Sequence, residues 1–333
     1  MRSIKDYYSA SYRRIAMKTH PKTSQLGVAI ALTRFCNARC VMCPMHNQIN
    51  STIEHMDEKT FEKVIDIFKG LGRRYMAVHS MGECLAHPKF GEYVDRLRDE
   101  HFWVRVSTNA SYMHMHMDTL LKIHYLKISL EGWDKESMLK YRGQKFDRVY
   151  ENVKNFWTYS RSKITYPIYF NMHVYPSMTD ENINEMVEIW GPWVDKIIVN
   201  FPHNSKLSHE HPFAPLDKDE WGDYHDMVVK EEPDSCGYVT NCAYIQPNGD
   251  VLACCNDYAG LLKYGNIHES EFLDIYYGER ANSLRQEHEC GRSEACGNCN
   301  FYYKFTDEVE QEYSRVRAMV EQHRTRILGG RVS

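Results

Sequence analysis

Gly27-Val-Ala-Ile-Ala-Leu-Thr33 runs almost directly into Cys36-Asn-Ala-Arg-Cys40-Val-Met-Cys43-Pro44, and the reading of this junction decides the fold. The apolar run has the length and continuity of a buried strand. Three thiols then fall within eight residues. A loop with this spacing can wrap one face of a four-iron cube and ligate three corners, leaving the fourth iron without a protein ligand. A cluster that only carries electrons is normally closed by four cysteines, whereas an open iron can bind an amine and a carboxylate of a small molecule. Two plainer readings compete. With His46 the spacing becomes Cys-x3-Cys-x2-Cys-x2-His, which suits a zinc knuckle. Free cysteines are also often buried as inert packing.

The chain has 333 residues, enough for one large domain or two moderate ones with a real core. Apolar residues make up 43%, charged residues 26%, and the formal net charge is −4. That balance gives no global electrostatic reason to bind nucleic acid or an anionic membrane. No apolar run reaches membrane-spanning length. Met1 to His20 holds scattered basic residues without an apolar signal core, so a cytoplasmic protein is expected. Eleven cysteines in such a chain argue for metal or redox chemistry over disulfides. Cys36, Cys40 and Cys43 form one group, Cys236, Cys242, Cys254, Cys255, Cys290, Cys296 and Cys299 another, and Cys84 stands alone.

Outward from the cysteine loop, helical and strand periodicities alternate. Residues 1–26 are rich in Tyr and Arg and read as an arm. Met56 to Lys69 keeps an i, i+3, i+4, i+7 rhythm through Phe61, Val64, Ile65 and Phe68, with Asp57 as N-cap and Gly70 as stop. Strands are expected at Tyr75–Ser80, Phe102–Ser107, Tyr125–Leu130, Ile168–Val174 and Lys196–Asn200. Helices are expected at Phe90–Glu100, Met117–Ile123, Asp134–Tyr141, Phe146–Ser162 and Glu181–Trp190. Such alternation specifies a parallel sheet with helices outside, and six strands counted from Val28 fit an α/β partial (β/α)6 barrel over residues 27–200.

In parallel barrels chemistry sits at the C-terminal strand ends. Here those ends read Met81-Gly82-Glu83, Ser107-Thr108-Asn109, Ser129-Leu-Glu131-Gly132 with Tyr141-Arg142-Gly143 beyond it, Asn171, and Val199-Asn200. Any one of these is ordinary turn chemistry after a strand. In series, and behind Cys-x3-Cys-x2-Cys, they resemble the radical S-adenosylmethionine (SAM) superfamily. Met42 replaces the usual aromatic before the third cysteine, and Met81 and Cys84 replace the outer residues of the family's Gly-Gly-Glu-Pro element. The resemblance implies a TIM-like partial barrel and a [4Fe-4S] cluster on Cys36, Cys40 and Cys43 whose open iron chelates SAM. It also implies a SAM site lined by Gly82, Glu83, Ser107, Asn109, Ser129, Arg142, Asn171 and Val199. The family cleaves SAM with one electron, here from a flavodoxin- or ferredoxin-type reductant. The resulting 5′-deoxyadenosyl radical abstracts hydrogen from an unactivated C–H bond.

Residues 201–235, with Pro202, Pro212, Pro215 and Pro233, read as a connector with one helix near Trp221–Val229. Beyond it, Pro247-Asn248-Gly249-Asp250 between β-rich runs is a strong hairpin signal. The order Cys236-x12-Gly249-x4-Cys254, Tyr264-Gly265-Asn266-Ile267, then Cys296-x2-Cys299 resembles the SPASM/twitch extension of that superfamily over residues 236–304. The resemblance implies one auxiliary [4Fe-4S] cluster on Cys236, Cys254, Cys296 and Cys299. Cys242, Cys255 and Cys290 remain, and any of them could replace an assigned ligand. A zinc ribbon would also suit a Cys-x2-Cys beside a hairpin. Residues 305–333 contain a terminal helix rich in Glu and Arg.

Two outcomes suit such cofactors: oxidation, with an electron passed to the auxiliary cluster, or epimerisation, with hydrogen returned by a thiol such as Cys255, Cys242 or Cys84. The many Tyr, Trp and His residues suit a small polar substrate such as a sugar, sugar nucleotide or aminocyclitol. Modification of a peptide is the alternative, against which the short N-terminal stretch argues. A non-catalytic zinc- or cluster-binding protein is the third reading. Met113-His114-Met115-His116-Met117 invites a soft-metal reading, though packing of a helix start explains it as well. His79 and His87 flank the Gly82-Glu83 element and could face the pocket, though a satisfied structural histidine is the plainer expectation for each.

Overall fold

The computed structural model describes residues 26–43, 54–175, 177–200, 228–229, 236–289, 304–305 and 307–329. The expected arm, His46, most of the 201–235 connector, and Cys290, Cys296 and Cys299 lie outside the described residues.

Strands and helices alternate as the periodicity predicts. β1 (Gly27–Ile30) leads through the cysteine loop to α1 (Glu58–Gly70), and β2 (Tyr75–Ala77) leads to α2 (Phe90–Asp99). Then come β3 (Trp103–Thr108), α3 (Met117–Leu121), β4 (Tyr125–Ser129), α4 (Lys135–Arg142), α5 (Phe146–Ser160), β5 (Ile168–His173), α6 (Asp180–Trp190) and β6 (Lys196–Asn200). Local chemistry sets the helix starts. Asp57 accepts from the Thr60 N–H at 2.7 Å at the head of α1. Asp134 with Ser137 and Thr179 with Asn182 form capping boxes on α4 and α6. The six strands pair in parallel in the order β1 to β6, giving an open α/β partial barrel.

The second half adds β7 (Val228–Val229), α7 (Gly237–Asn241), β8 (Cys242–Ile245), β9 (Asp250–Leu252), β10 (Lys263–Asn266), α8 (Phe272–Tyr276), α9 (Glu279–Glu289), β11 (Lys304–Phe305) and α10 (Asp307–Ile327). The helix expected over Trp221–Val229 is corrected at its last two residues. Val228 and Val229 pair antiparallel with Phe305 and Lys304, and adjacent β-branched side chains favour a strand. The hairpin expected at Pro247–Gly249 joins β8 to β9. It does not stand apart from the barrel. β8 lies parallel to β1, with Gly27 opposite Cys242 and Ile30 opposite Ile245, so one nine-stranded sheet runs β10-β9-β8-β1-β2-β3-β4-β5-β6.

Alternation along the strands separates two faces. Val28, Ile30, Met76, Val78, Val104, Val106, Leu126, Ile128 and Phe170 belong to the main core, together with the buried stripes of the helices. Ala29, Ala31, Ala77, Tyr244 and Leu252 cluster on the other, inner face. α10 closes the far edge. Arg324 Nη2 donates to the carbonyls of Val194 and Asp195 at 3.2 and 2.6 Å, and the Tyr313 hydroxyl donates to the Val199 carbonyl at 2.5 Å. No helix among the described residues is long and apolar enough to cross a membrane.

Candidate active site

The loop carrying Cys36, Cys40 and Cys43 is held from two sides by backbone. Arg39 N–H donates to the Arg142 carbonyl at 2.7 Å, Val41 N–H to the Tyr141 carbonyl at 3.1 Å, and Glu83 N–H to the Phe35 carbonyl at 2.7 Å. Two glycines make these approaches possible. A β-carbon on Gly82 would lie 2.1 Å from the Thr33 carbonyl oxygen, and one on Gly143 would lie 2.4 Å from Arg39 Cβ. Both glycines have positive φ, +71° and +60°. Met42, standing where an aromatic is usual, accepts a hydrogen bond from the Tyr175 hydroxyl at 3.1 Å.

Glu83 ties the ends of β2 and β3 together. Its carboxylate accepts from Thr108 Oγ1 at 2.6 Å, Asn109 N–H at 2.7 Å and Leu85 N–H at 3.1 Å. Burial still raises its pKa despite these donors. Asn109 in turn donates to Asn37 Oδ1 at 3.0 Å and to Cys36 Sγ at 3.6 Å. On the other side Arg142 Nη1 donates to Glu131 Oε2 at 2.7 Å, and His173 Nδ1 lies 2.6 Å from Glu131 Oε1. Burial would push Glu131 up, but Arg142 and His173 hold its carboxyl below the ordinary range. Arg142 Nε donates to Gln144 at 3.2 Å.

Register assigns the remaining polar residues to the inner face. Tyr244, Ala29, Ala77, Arg105 and Tyr125 form one row across β8, β1, β2, β3 and β4. Ser107, Lys127, Tyr169 and Lys196 form the next, and Ser129 and Asn171 the one above. Asn171 Oδ1 accepts from Asn200 at 2.7 Å. Val199 is buried and contributes its carbonyl to Tyr313 rather than a side chain to this face.

Cys242 begins β8, and Cys254 and Cys255 follow β9, so the hairpin returns them toward Cys242. Cys236, Cys242 and Cys255 are near enough to feel one another's charge. The Asn256 N–H points at Cys254 Sγ, 3.4 Å away. Cys242 and Cys255 pack with the inner-face cluster. Cys84 is on the opposite side, 2% exposed in the main core, its thiol donating to the Ser107 carbonyl at 3.3 Å. Tyr258 packs with the inner-face cluster and is within electrostatic reach of Cys40 and Cys43 and of Cys254 and Cys255.

The Met-His stretch disperses. Met113 is in the core, Met115 is 64% exposed, and His116 Nε2 lies 2.9 Å from the Leu85 carbonyl. His87 is tied to the Met56 carbonyl at 3.0 Å, as a structural histidine should be. His79 instead joins the inner-face polar group beside Arg105 and Lys127.

Sequence profiles match this architecture in two places: that of the radical SAM superfamily over residues 30–189, and that of an iron–sulfur cluster-binding SPASM domain over residues 236–300. The chain belongs to the radical SAM superfamily. It carries a radical SAM domain followed by an iron–sulfur cluster-binding SPASM domain, and the cofactors of these domains are SAM, the [4Fe-4S] cluster that binds SAM and an auxiliary cluster. The donor chemistry fits them. Three thiols are presented on a clamped loop with an amide N–H and the Arg142 charge nearby, and a second thiol group is backed by a backbone N–H.

Among similar proteins, the S-adenosyl-L-methionine-dependent 2-deoxy-scyllo-inosamine dehydrogenase of Niallia circulans is 32% identical over 85 residues, which is 25% of this chain and 33% of that enzyme. The matches span 33% and 51% of the lengths of the two curated relatives. Among solved structures, Streptococcus suis SuiB bound to S-adenosylmethionine superposes with a TM-score of 0.62 at 17% identity, covering 84% of this radical SAM chain and 74% of SuiB. SuiB bound to precursor peptide SuiA gives 0.60. BtrN in complex with AdoMet and 2-DOIA gives 0.53 at 17% identity, covering 82% of this chain and 92% of BtrN.

Proposed function

We propose that this radical SAM enzyme takes a hydrogen atom from a C–H bond of a small polar molecule held on the inner face and oxidises that carbon. One observation carries the reading: Tyr258 packs with the inner-face cluster within electrostatic reach of both cysteine groups, beside a face lined by His79, Arg105, Ser107, Lys127, Ser129 and Asn171. When bound, SAM and its reduced cluster supply a 5′-deoxyadenosyl radical, and the auxiliary cluster supplies an electron acceptor.

The chain's own residues then have separate tasks. Cys36, Cys40 and Cys43 would hold the first cluster, and Cys236 and Cys254 would contribute to the second together with Cys296 and Cys299. Cys242, close to Cys236 and Cys255, is an equally placed ligand. The Gly82-Glu83 backbone would hold the SAM amino group. Ser129 and Arg142 would hold its carboxylate. Arg142 already spends Nη1 on Glu131 and Nε on Gln144, so Nη2 is the nitrogen left to reach it. Ser107, Asn109 and Asn171 would complete the surround.

The likeness to an inosamine dehydrogenase supports oxidation of a ring carbon bearing a polar group. Epimerisation stays as a second outcome because Cys242 and Cys255 both pack at the inner face, from which a thiol can return hydrogen. The fold shared with SuiB, seen bound to a precursor peptide, supports a peptide as the second substrate class.

Anaerobically reconstituted protein should be brown and bind about eight irons per chain. With dithionite and SAM it should release 5′-deoxyadenosine, and Cys40→Ala should abolish that release. A colourless protein, or release unaffected by Cys40→Ala, would end this reading. Once a substrate is found, deuterium from solvent water at the reacting carbon indicates epimerisation, and an oxidised product without it indicates dehydrogenation.

A further inference from the structure

We infer that the substrate carries a phosphoryl group, bound by Arg105 of β3 and Lys127 of β4 on the inner face. The inference deepens the catalytic reading above and rests on it.

Register fixes the pair. Arg105 lies opposite Tyr125, and Ser107 lies opposite Lys127, so the two cations are diagonal neighbours on adjacent strands, about 7–8 Å apart at the backbone. One phosphoryl group can touch both side chains across that gap. Left alone, the arrangement is unfavourable, because like charges repel and each buried charge loses hydration. Burial and the neighbouring guanidinium drive the Lys127 pKa down to about 8.

No carboxylate answers these charges among the described residues. Lys127 makes no hydrogen bond or ion pair there. The acid whose charge reaches it, Glu131, is already engaged by Arg142 and His173. The Arg105 guanidinium rests over the Tyr125 ring at 4.7 Å, a contact that leaves its N–H groups unspent, and its Nε is enclosed without an acceptor. His79 Nε2 beside them is enclosed without a partner as well. Three polar groups thus converge without an acceptor. Lys196, in the same row as Lys127, adds positive charge 5.9 Å from the Tyr169 ring.

The surroundings suit a ligand. Ala29, Ala31 and Ala77 present only methyl groups on the strands beside Arg105. One row below Arg105, Tyr75 stacks on Trp103, and in the cations' own rows Tyr125 stacks on Tyr169, with centroids 5.2 and 4.5 Å apart, which borders the cations with aromatic rings. A neutral polyol would leave two charges unmatched and a carboxylate would leave one. A phosphoryl dianion matches both, and the planar guanidinium fork suits its oxygens. The competing explanation is that Lys127 offsets thiolate charge, since Cys255 lies within its electrostatic reach.

Inorganic phosphate is the probe, titrated by equilibrium dialysis into the anaerobically reconstituted full chain. The wild type should bind it saturably, Lys127→Met and Arg105→Met should each weaken it about tenfold or more, and Lys127→Arg should largely retain it. Lys122→Met, which removes only an exposed partner of Asp95, should bind as the wild type does. No saturable binding, or equal binding in all variants, overturns the inference. So does a change confined to the auxiliary-cluster electron paramagnetic resonance signal, which assigns the cations to the thiolates. Should a variant fold poorly, wild-type acetylation footprinting decides instead: phosphate must shield Lys127, and an unshielded Lys127 refutes the site. SAM cleavage, measured separately, reports on the catalytic reading, so either can fail alone.

Discussion

Glu131 and Arg142 form an enclosed ion pair, Oε2 to Nη1 at 2.7 Å, that joins the end of β4 to the end of α4. Arg142 also offers its backbone carbonyl to Arg39 of the cysteine loop. The pair therefore sits at the joint between barrel and loop. Glu131→Gln leaves the guanidinium buried without its counter-charge, which should cost about 3–5 kcal/mol in denaturant melts. The carboxyl is depressed in the fold, so its contribution is present above its unfolded pKa and declines as pH falls through the folded one. Wild type and Glu131→Gln should converge in stability toward low pH.

Gly82→Ala places a methyl against the Thr33 and Phe35 carbonyls in a left-handed backbone, and both oxygens are backbone atoms that cannot swing away. Gly72→Ala has comparable φ, +69°, with nothing within 4 Å of the new carbon. The second change should cost only about 1–2 kcal/mol. The first should also lower the iron bound per chain after reconstitution. Equal iron in both would show that the loop tolerates displacement.

Lys127 gives a pH dependence with a definite sign. A lysine whose folded pKa is lowered binds fewer protons folded than unfolded, so stability rises with pH between about 8 and 10.5. Below pH 8 the penalty is fully present. Lys127→Met should therefore be more stable than wild type at pH 7, by on the order of 2–3 kcal/mol. The difference should vanish near pH 10.5, as read from paired urea melts.

Two arginines of α10 should differ sharply on truncation. Arg315 pairs with Asp180 at the surface, and its loss should cost no more than about 1 kcal/mol. Arg324 is 6% exposed and donates to two carbonyls between α6 and β6. Arg324→Ala strands those acceptors and should cost about 2–4 kcal/mol. Parallel melts of the two variants check the ranking.

The barrel was legible because its signals are local. Helix stripes such as Phe61, Val64, Ile65 and Phe68, caps such as Asp57, and polar residues at strand ends are set by near neighbours in the chain. Arg105 and Lys127 carry no such local signal, because they lie in the middle of strands, where their meaning depends on which residues stand opposite. The alternation Val104-Arg105-Val106-Ser107 marks an inward-facing cation, but the partner that makes it a cluster comes from register. His79 reads more readily as structural than as pocket-facing for the same reason. The attachment of β8 to β1 joins residues more than two hundred positions apart, and no local pattern encodes it.

That attachment gives the two thiol groups a common anchor. Cys242 stands opposite Gly27 in backbone pairing, and the loop of Cys36 begins a few residues beyond the end of β1. Transplanting the hairpin onto another barrel would therefore demand that β1 come with it, or the pairing that seats Cys242 would be lost.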